Sequence, residues 1–286
     1  MEPGEPLVVG LTLLAGFGAG VLSALLGVGG AVITTPAVRA LGAAPIDAVG
    51  STVPAILPSA VAGTLRYARE GLVDWRAALG LGLSGAVFAV VGALATSLVD
   101  ARLLMVATAG LMLWSGVTVV RGGSRGPSDP PSDGGPLDGV ETSETDTAFA
   151  AERPEESVRP PHHHLGLLAV LGAGSGFVAG LLGVGGGIVM VPVLTGPLRA
   201  PMRTAVASSL VAVAIFSVPA LVAHTWLGNV DWSYAVPLML GVVPGARVGS
   251  RLTVGSSDRT IRLAFGALIL VLAVVYGASE LRSLLG

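Results

Sequence analysis

The chain contains no cysteine, which excludes disulfides, thiolate metal sites and iron–sulfur clusters. It has no lysine either, so all 16 of its basic residues are arginine. Charged residues make up only 12% of it, where a soluble domain carries about a quarter. Aromatic residues are scarce at 5%, and the net charge of −2 gives no sign of nucleic-acid binding. What remains is apolar: 52% of 286 residues are hydrophobic, and the mean hydropathy is +0.79. Such a chain is an integral membrane protein whose main partner is the lipid bilayer. Its apolar runs leave no room for a large soluble domain.

The opening MEPGEP has no basic residue ahead of the first apolar run. A secretory signal needs one, so Leu7 onward reads as a retained span. Ten apolar segments follow. Five are Leu7–Leu26, Val28–Val38, Ala48–Leu65, Ala77–Val99 and Leu103–Val120. The other five are Leu165–Leu182, Val184–Leu198, Ala205–Trp226, Ser233–Val254 and Leu263–Ser279. Residues 121–164 between the sets are rich in Pro, Gly and Ser and hold half of the acidic residues, the composition of a disordered linker. His162, His163 and His164 close that linker. With no carboxylate or further histidine at ligand spacing, they read as a polar loop end rather than a metal site.

The two sets are repeats. Gly16–Val38 (GFGAGVLSALLGVGGAVITTPAV) aligns with Gly172–Leu194 (GAGSGFVAGLLGVGGGIVMVPVL), including Pro36 with Pro192. Downstream, Pro45 matches Pro201, Ser51-Thr52 matches Ser208-Ser209, GLVDW matches GNVDW, and Gly92 matches Gly249. The expected organisation is a first membrane repeat over 1–120, a linker over 121–164 and a second repeat over 165–286.

Arginine placement orients the halves, because short cytoplasmic loops are rich in basic residues. If each glycine cluster separates two elements, every half has five and the halves are inverted. That puts Arg66, Arg69, Arg76, Arg121, Arg125, Arg153, Arg159, Arg199, Arg203, Arg259 and Arg262 on one side, against Arg39, Arg102 and Arg282 on the other. With four elements per half the bias nearly disappears. The expected fold is therefore an all-α membrane protein of two inverted repeats, with 8–10 transmembrane helices and broken or re-entrant helices at the glycine clusters. Both termini are expected outside and the linker in the cytoplasm. A re-entrant hairpin and two full crossings give the same parity.

Irregular backbone inside a bilayer survives only when buried in protein or lining a cavity. Gly27, Gly29 and Gly30, with Gly183, Gly185, Gly186 and Gly187, are such backbone. A short helix starting after each cluster would present free N–H groups to an anion. The competing reading is close helix packing, which suits Gly16, Gly20, Gly172, Gly176 and Gly180 better. Ser51, Thr52, Ser208 and Ser209 are paired hydroxyls that could donate to an oxyanion or to helix carbonyls. Arg247 lies within a segment and could attract an anion or snorkel to the interface with Arg251. Asp74 and Asp231 precede spans beside Trp75 and Trp232, where helix capping is the better assignment. A nucleotide-binding reading of the glycines fails for want of a preceding strand, a βαβ unit and a Walker lysine.

The duplicated G-x-x-x-G…LLGVGG…P motif, the Ser-Thr and Ser-Ser pairs, the VDW starts and PGARVGSRL resemble the TauE/SafE (TSUP) sulfite-exporter family over residues 7–120 and 165–285. That resemblance implies a multi-pass permease of a prokaryotic inner membrane, often for sulfite or related organosulfonate anions, with no cofactor. Ala31 departs from the pattern by replacing the third glycine of the first cluster, which leaves open whether the two loops contribute equally. The expected function is secondary transport of a small anionic solute by alternating access around the two glycine loops. The alternatives are a membrane enzyme, disfavoured by the lack of intramembrane acid–base pairs, a partner-binding membrane protein, and a carrier of an unrelated solute. Whether the chain is a homo-oligomer is left open.

Overall fold

The computed structural model describes residues 5–95, 101–121, 165–182 and 186–285, and every element among them is helical. The first half comprises α1 (Pro6–Leu26), α2 (Ala31–Ala40), α3 (Pro45–Arg69), α4 (Trp75–Ala95) and α5 (Ala101–Arg121). The second comprises α6 (Leu165–Leu182), α7 (Gly187–Thr195), α8 (Met202–Trp226), α9 (Trp232–Gly255) and α10 (Asp258–Leu285). Each apolar segment corresponds to one helix. The short helices start later than hydropathy suggests, at Ala31 and Gly187, and left-handed Gly30 and Gly186 stand directly before them. The linker, His162–His164 included, lies outside the described residues.

Among the described residues, four helices are long and apolar enough to cross a bilayer: α1, the Asp47–Arg69 part of α3, α4 and α8. α2 and α7 have 10 and 9 residues. At 1.5 Å per residue they reach about 15 Å, half of the hydrocarbon core. The chain doubles back between α1 and α2, since Val38 near the end of α2 clusters with Val8 near the start of α1.

The most extensive interfaces cross between the halves: α1 packs on α9, and α4 packs on α6. Glycine makes both possible. Gly16 and Gly20 lie against the backbone of Leu238 and Val242, while Gly241, Gly245 and Gly249 lie against α1 in return. In the counterpart pair, Gly172, Gly176 and Gly180 meet the backbone at Leu81, Gly85 and Ala89. Contact positions advance together along both chains, so each pair runs parallel. Lipid gives no hydrophobic drive for helix association, and close backbone approach supplies dispersion contact instead. The packing reading of these glycines therefore holds.

Counterpart helices α3 and α8 run antiparallel. The start of α3, at Gly50, abuts Asn229 just beyond the end of α8. α5 and α10 are also antiparallel, with Gly116 on Leu270 and Gly266 on Val120. This is the arrangement an inverted duplication generates. Two further contacts gather the α3–α4 turn, the start of α8 and the start of α10 at one end of the bundle. The Asp74 N–H donates to Ser208, and Arg203 pairs with Asp258 at 3.3 Å. Arg66, Arg69, Arg76, Arg203, Arg259 and Arg262 lie along these segments.

Candidate functional site

The turn between α1 and α2 is Gly27-Val28-Gly29-Gly30. Its glycines take φ values of 72°, 85° and 79°, a region that side-chain-bearing residues rarely adopt. The Gly27 N–H closes α1 by donating to the Ser23 carbonyl at 2.8 Å. Side chains from three other helices take the carbonyls beyond it. Tyr67 of α3 donates to Ala24, Thr253 of α9 to Leu25 at 3.1 Å, and Ser209 of α8 to Gly27 at 3.0 Å. A helix end inside protein, away from water, needs such partners.

The start of α2 is different. No side chain caps it. Ile33 and Thr34 donate back to the Gly30 carbonyl at 3.0 and 3.1 Å. Among the described residues, the N–H groups of Ala31 and Val32 have no acceptor. Unpaired N–H groups and the positive end of the helix dipole favour an anion here. A narrow cavity, too small to admit a water molecule, adjoins this start. Gly29, Gly30 and Ala31 line it together with the hydroxyl side chains Thr34, Thr52 and Ser59 and the apolar Ala55, Ile56 and Val242.

In the second half, Gly186 precedes α7 with φ 69° and again no side chain caps the helix. Gly183 and Gly185 lie outside the described residues. Gly187 sits directly against the backbone of Gly27 and Val28, so close that a β-carbon there would collide. The start of α7 thus touches the first glycine turn. That contact accounts for the departure at Ala31: its counterpart Gly187 must be glycine, whereas position 31 accommodates a methyl.

The paired hydroxyls have separate partners. Ser51 accepts from the N–H of Asp231 at 2.8 Å, and Ser208 from the N–H of Asp74 at 2.9 Å. Both aspartates cap the helix that follows, Asp231 through the Ser233 N–H at 2.9 Å and Asp74 through the Ala77 N–H at 3.0 Å. Trp75 and Trp232 beside them are half exposed, as interfacial anchors are. Thr52 donates to the Val49 carbonyl at 2.8 Å, lies 3.3 Å from the Thr35 hydroxyl and faces the cavity. Arg247 and Arg251 are exposed, on the side of α9 away from the glycines that meet α1, and Arg247 does not line the cavity.

Of the expected site residues, the structure thus brings Gly27, Gly29, Gly30, Gly187, Thr52 and Ser209 together, with Gly186 beside them. Ser51 and Ser208 sit at the VDW turns, and Arg247 stands apart. Thr34 and Ser59 went unnoticed in the sequence. Their signal was spacing: Thr34 is one turn after Gly30, and Thr52, Ala55, Ile56 and Ser59 share one face of α3.

The sulfite exporter TauE/SafE family model matches residues 12–276. A probable membrane transporter protein of Xylella fastidiosa is 28% identical over 272 residues, 94% of this chain and 93% of the relative. Proteins described in the same words from Bacillus subtilis and Methanocaldococcus jannaschii are 23% and 20% identical. They match 88% and 94% of this chain and 90% and 95% of their own lengths. No solved structure matches significantly. With a family match spanning nearly the whole chain, the start of α7 meeting the first glycine turn and helices fit to cross a bilayer, the chain belongs to the sulfite exporter TauE/SafE family of membrane transporters.

Proposed function

We propose that the protein carries a small sulfur oxyanion, sulfite or a related organosulfonate, across the plasma membrane by alternating access around the contact between the first glycine turn and the start of α7. The observation that carries this reading is the contact of Gly187 with Gly27 and Val28 beside the uncapped start of α2. A helix start with free N–H groups stabilises an anion without a buried cation. The hydroxyls of Thr34, Thr52 and Ser59 nearby donate to the Gly30 carbonyl, the Val49 carbonyl and Ser23, and glycine lets the solute approach the backbone. The relatives' description as membrane transporters and the family's as sulfite exporters agree with it.

In this reading the arginine-rich end of the bundle faces the cytoplasm. Both termini are then outside, the 121–164 linker is inside, and the solute passes chemically unchanged. The test is counterflow in proteoliposomes containing the purified protein. Saturable exchange of radiolabelled sulfite is expected, competed by sulfoacetate or thiosulfate. No counterflow with sulfite, thiosulfate, sulfoacetate or taurine overturns the reading.

A further inference from the structure

We propose that Ser115 and Asp258 fasten the α5–α10 pair to α7 and α8, and that α1, α2, α3 and α9 form the body that moves against them during transport. This rests on the alternating-access reading above and assigns its moving part. Hydrogen bonds sort the helices. Tyr67 of α3 and Thr253 of α9 both hold the end of α1, and Ser51 of α3 accepts from the Asp231 N–H at the start of α9. These bonds join α1, α3 and α9. Ser208 of α8 likewise accepts from the Asp74 N–H before α4, and α4 packs on α6. Where the two bodies meet, Ser209 donates to Gly27, and Gly187 abuts Gly27 and Val28.

The α5–α10 pair is not attached to the two bodies equally. Pro192 has no N–H, so the Ile188 carbonyl of α7 lacks the donor four positions on. Ser115 of α5 replaces it, donating at 2.7 Å from a fully buried position. Pro36 leaves the Val32 carbonyl of α2 in the same condition. In the register that pairs Gly92 with Gly249 and the start of α5 with that of α10, the counterpart of Ser115 is Leu272, which has no proton to give. Leu272 packs against the apolar cluster that contains Val32. At the start of α10, Asp258 reaches α8, accepting from the Met202 N–H at 2.9 Å and pairing with Arg203 at 3.3 Å. In that register its first-half counterpart is Ala101, and α3 starts at Pro45 where α8 starts at Met202. The first half therefore has neither the carboxylate nor the N–H for this tie.

Burial follows the same division. From Gly187 to Leu194, α7 is buried throughout, with α5, α6 and α8 packed on it. In α2, Ile33, Thr35, Pro36 and Ala37 are partly exposed. Among the described residues, α10 makes no packing contact with α2 to match that of α5 with α7. Inside a bilayer no water replaces a broken hydrogen bond, so the side fastened by Ser115 resists separation. Ser115 is thus a positioning residue: it holds α7, and with it Gly187, still while the first glycine turn moves.

The cysteine-free chain takes spin labels at introduced cysteines with no prior substitution. Arg121→Cys at the end of α5 is paired with Arg199→Cys beyond α7, and separately with Arg39→Cys near the end of α2; all three positions are exposed. Distances are read by electron paramagnetic resonance in lipid nanodiscs, with and without sulfite. The 121–199 distance should be narrow and unchanged by sulfite, while the 121–39 distance shifts. Ser115→Ala should broaden the 121–199 distribution, and Ser115→Thr, which keeps the hydroxyl, should restore it. A 121–199 distance that shifts as much as the 121–39 distance, or more, overturns the inference. So does an unbroadened distribution in Ser115→Ala, or counterflow that proceeds while neither distance responds. If sulfite shifts neither distance and no counterflow occurs, the transport reading fails separately. The Ser115 variants then decide the fastening by themselves: broadening that threonine reverses supports it, and its absence overturns it.

Discussion

Ser208 in α8 accepts a hydrogen bond from the backbone N–H of Asp74, 134 positions earlier in the chain, at 2.9 Å. The duplicated pair does the same in reverse, with Ser51 in α3 accepting from the N–H of Asp231. Each half therefore clamps the VDW turn of the other. Replacing either serine with alanine removes one partly buried hydrogen bond, worth about 1 kcal/mol. The sites are far apart, so the losses in Ser51→Ala and Ser208→Ala should add in the double variant. Thermal unfolding in detergent checks this. If the serines bind solute instead, KM for sulfite will rise with no change in melting.

Gly20 packs against the backbone of Val242, whereas Gly18, two positions earlier on the same helix, faces open space. Gly20→Leu should separate α1 from α9 and cost about 1–3 kcal/mol or more through overpacking. Gly18→Leu should be tolerated. The yield of monodisperse protein on gel filtration distinguishes them, with Gly176→Leu expected to behave as Gly20→Leu does across α4 and α6.

Gly29 lines the central cavity with φ 85°. Gly29→Leu would place a side chain on left-handed backbone, at a cost of about 1–2 kcal/mol, and fill the space beside the start of α2. Sulfite flux should be lost while membrane insertion is retained, as read by uptake and by protein level in the membrane fraction. Wild-type flux in this variant would count against a solute path through the turn.

Arg247 is exposed and away from the cavity. Arg247→Gln should leave sulfite KM within about twofold of wild type, as expected for a surface position remote from the solute. A fall in uptake that grows at low ionic strength would instead give Arg247 a part in drawing anions to the protein.

Hydropathy located the ten helices among the described residues because each is apolar over most of its length, and α6 runs from Leu165 to Leu182 as the apolar run does. Boundaries moved where local chemistry overrode hydropathy. Val28 is apolar but sits between left-handed glycines, so α2 waits until Ala31. α3 continues through Pro54 and Pro58. The glycine turns were legible as breaks, and Gly16 and Gly20 as packing residues, because both properties follow from the missing side chain. Tyr67 and Thr253 were not legible as partners of the α1 carbonyls. Their hydroxyls reach that helix end from α3 and α9, and no pattern within either segment records such a meeting.

The interlocking of α1 with α9 and of α4 with α6 has a mechanical consequence. The sequence repeats are not the bodies that can move. Sliding one half past the other would break both glycine seams at once and leave backbone-deep grooves facing lipid. Any rocking that exposes the centre to alternate sides must keep α1 with α9 and α4 with α6, so each moving unit draws one member from either copy. A gene split in the linker would yield two fragments that each lack the matching surface for their longest contact, and neither could assemble without the other.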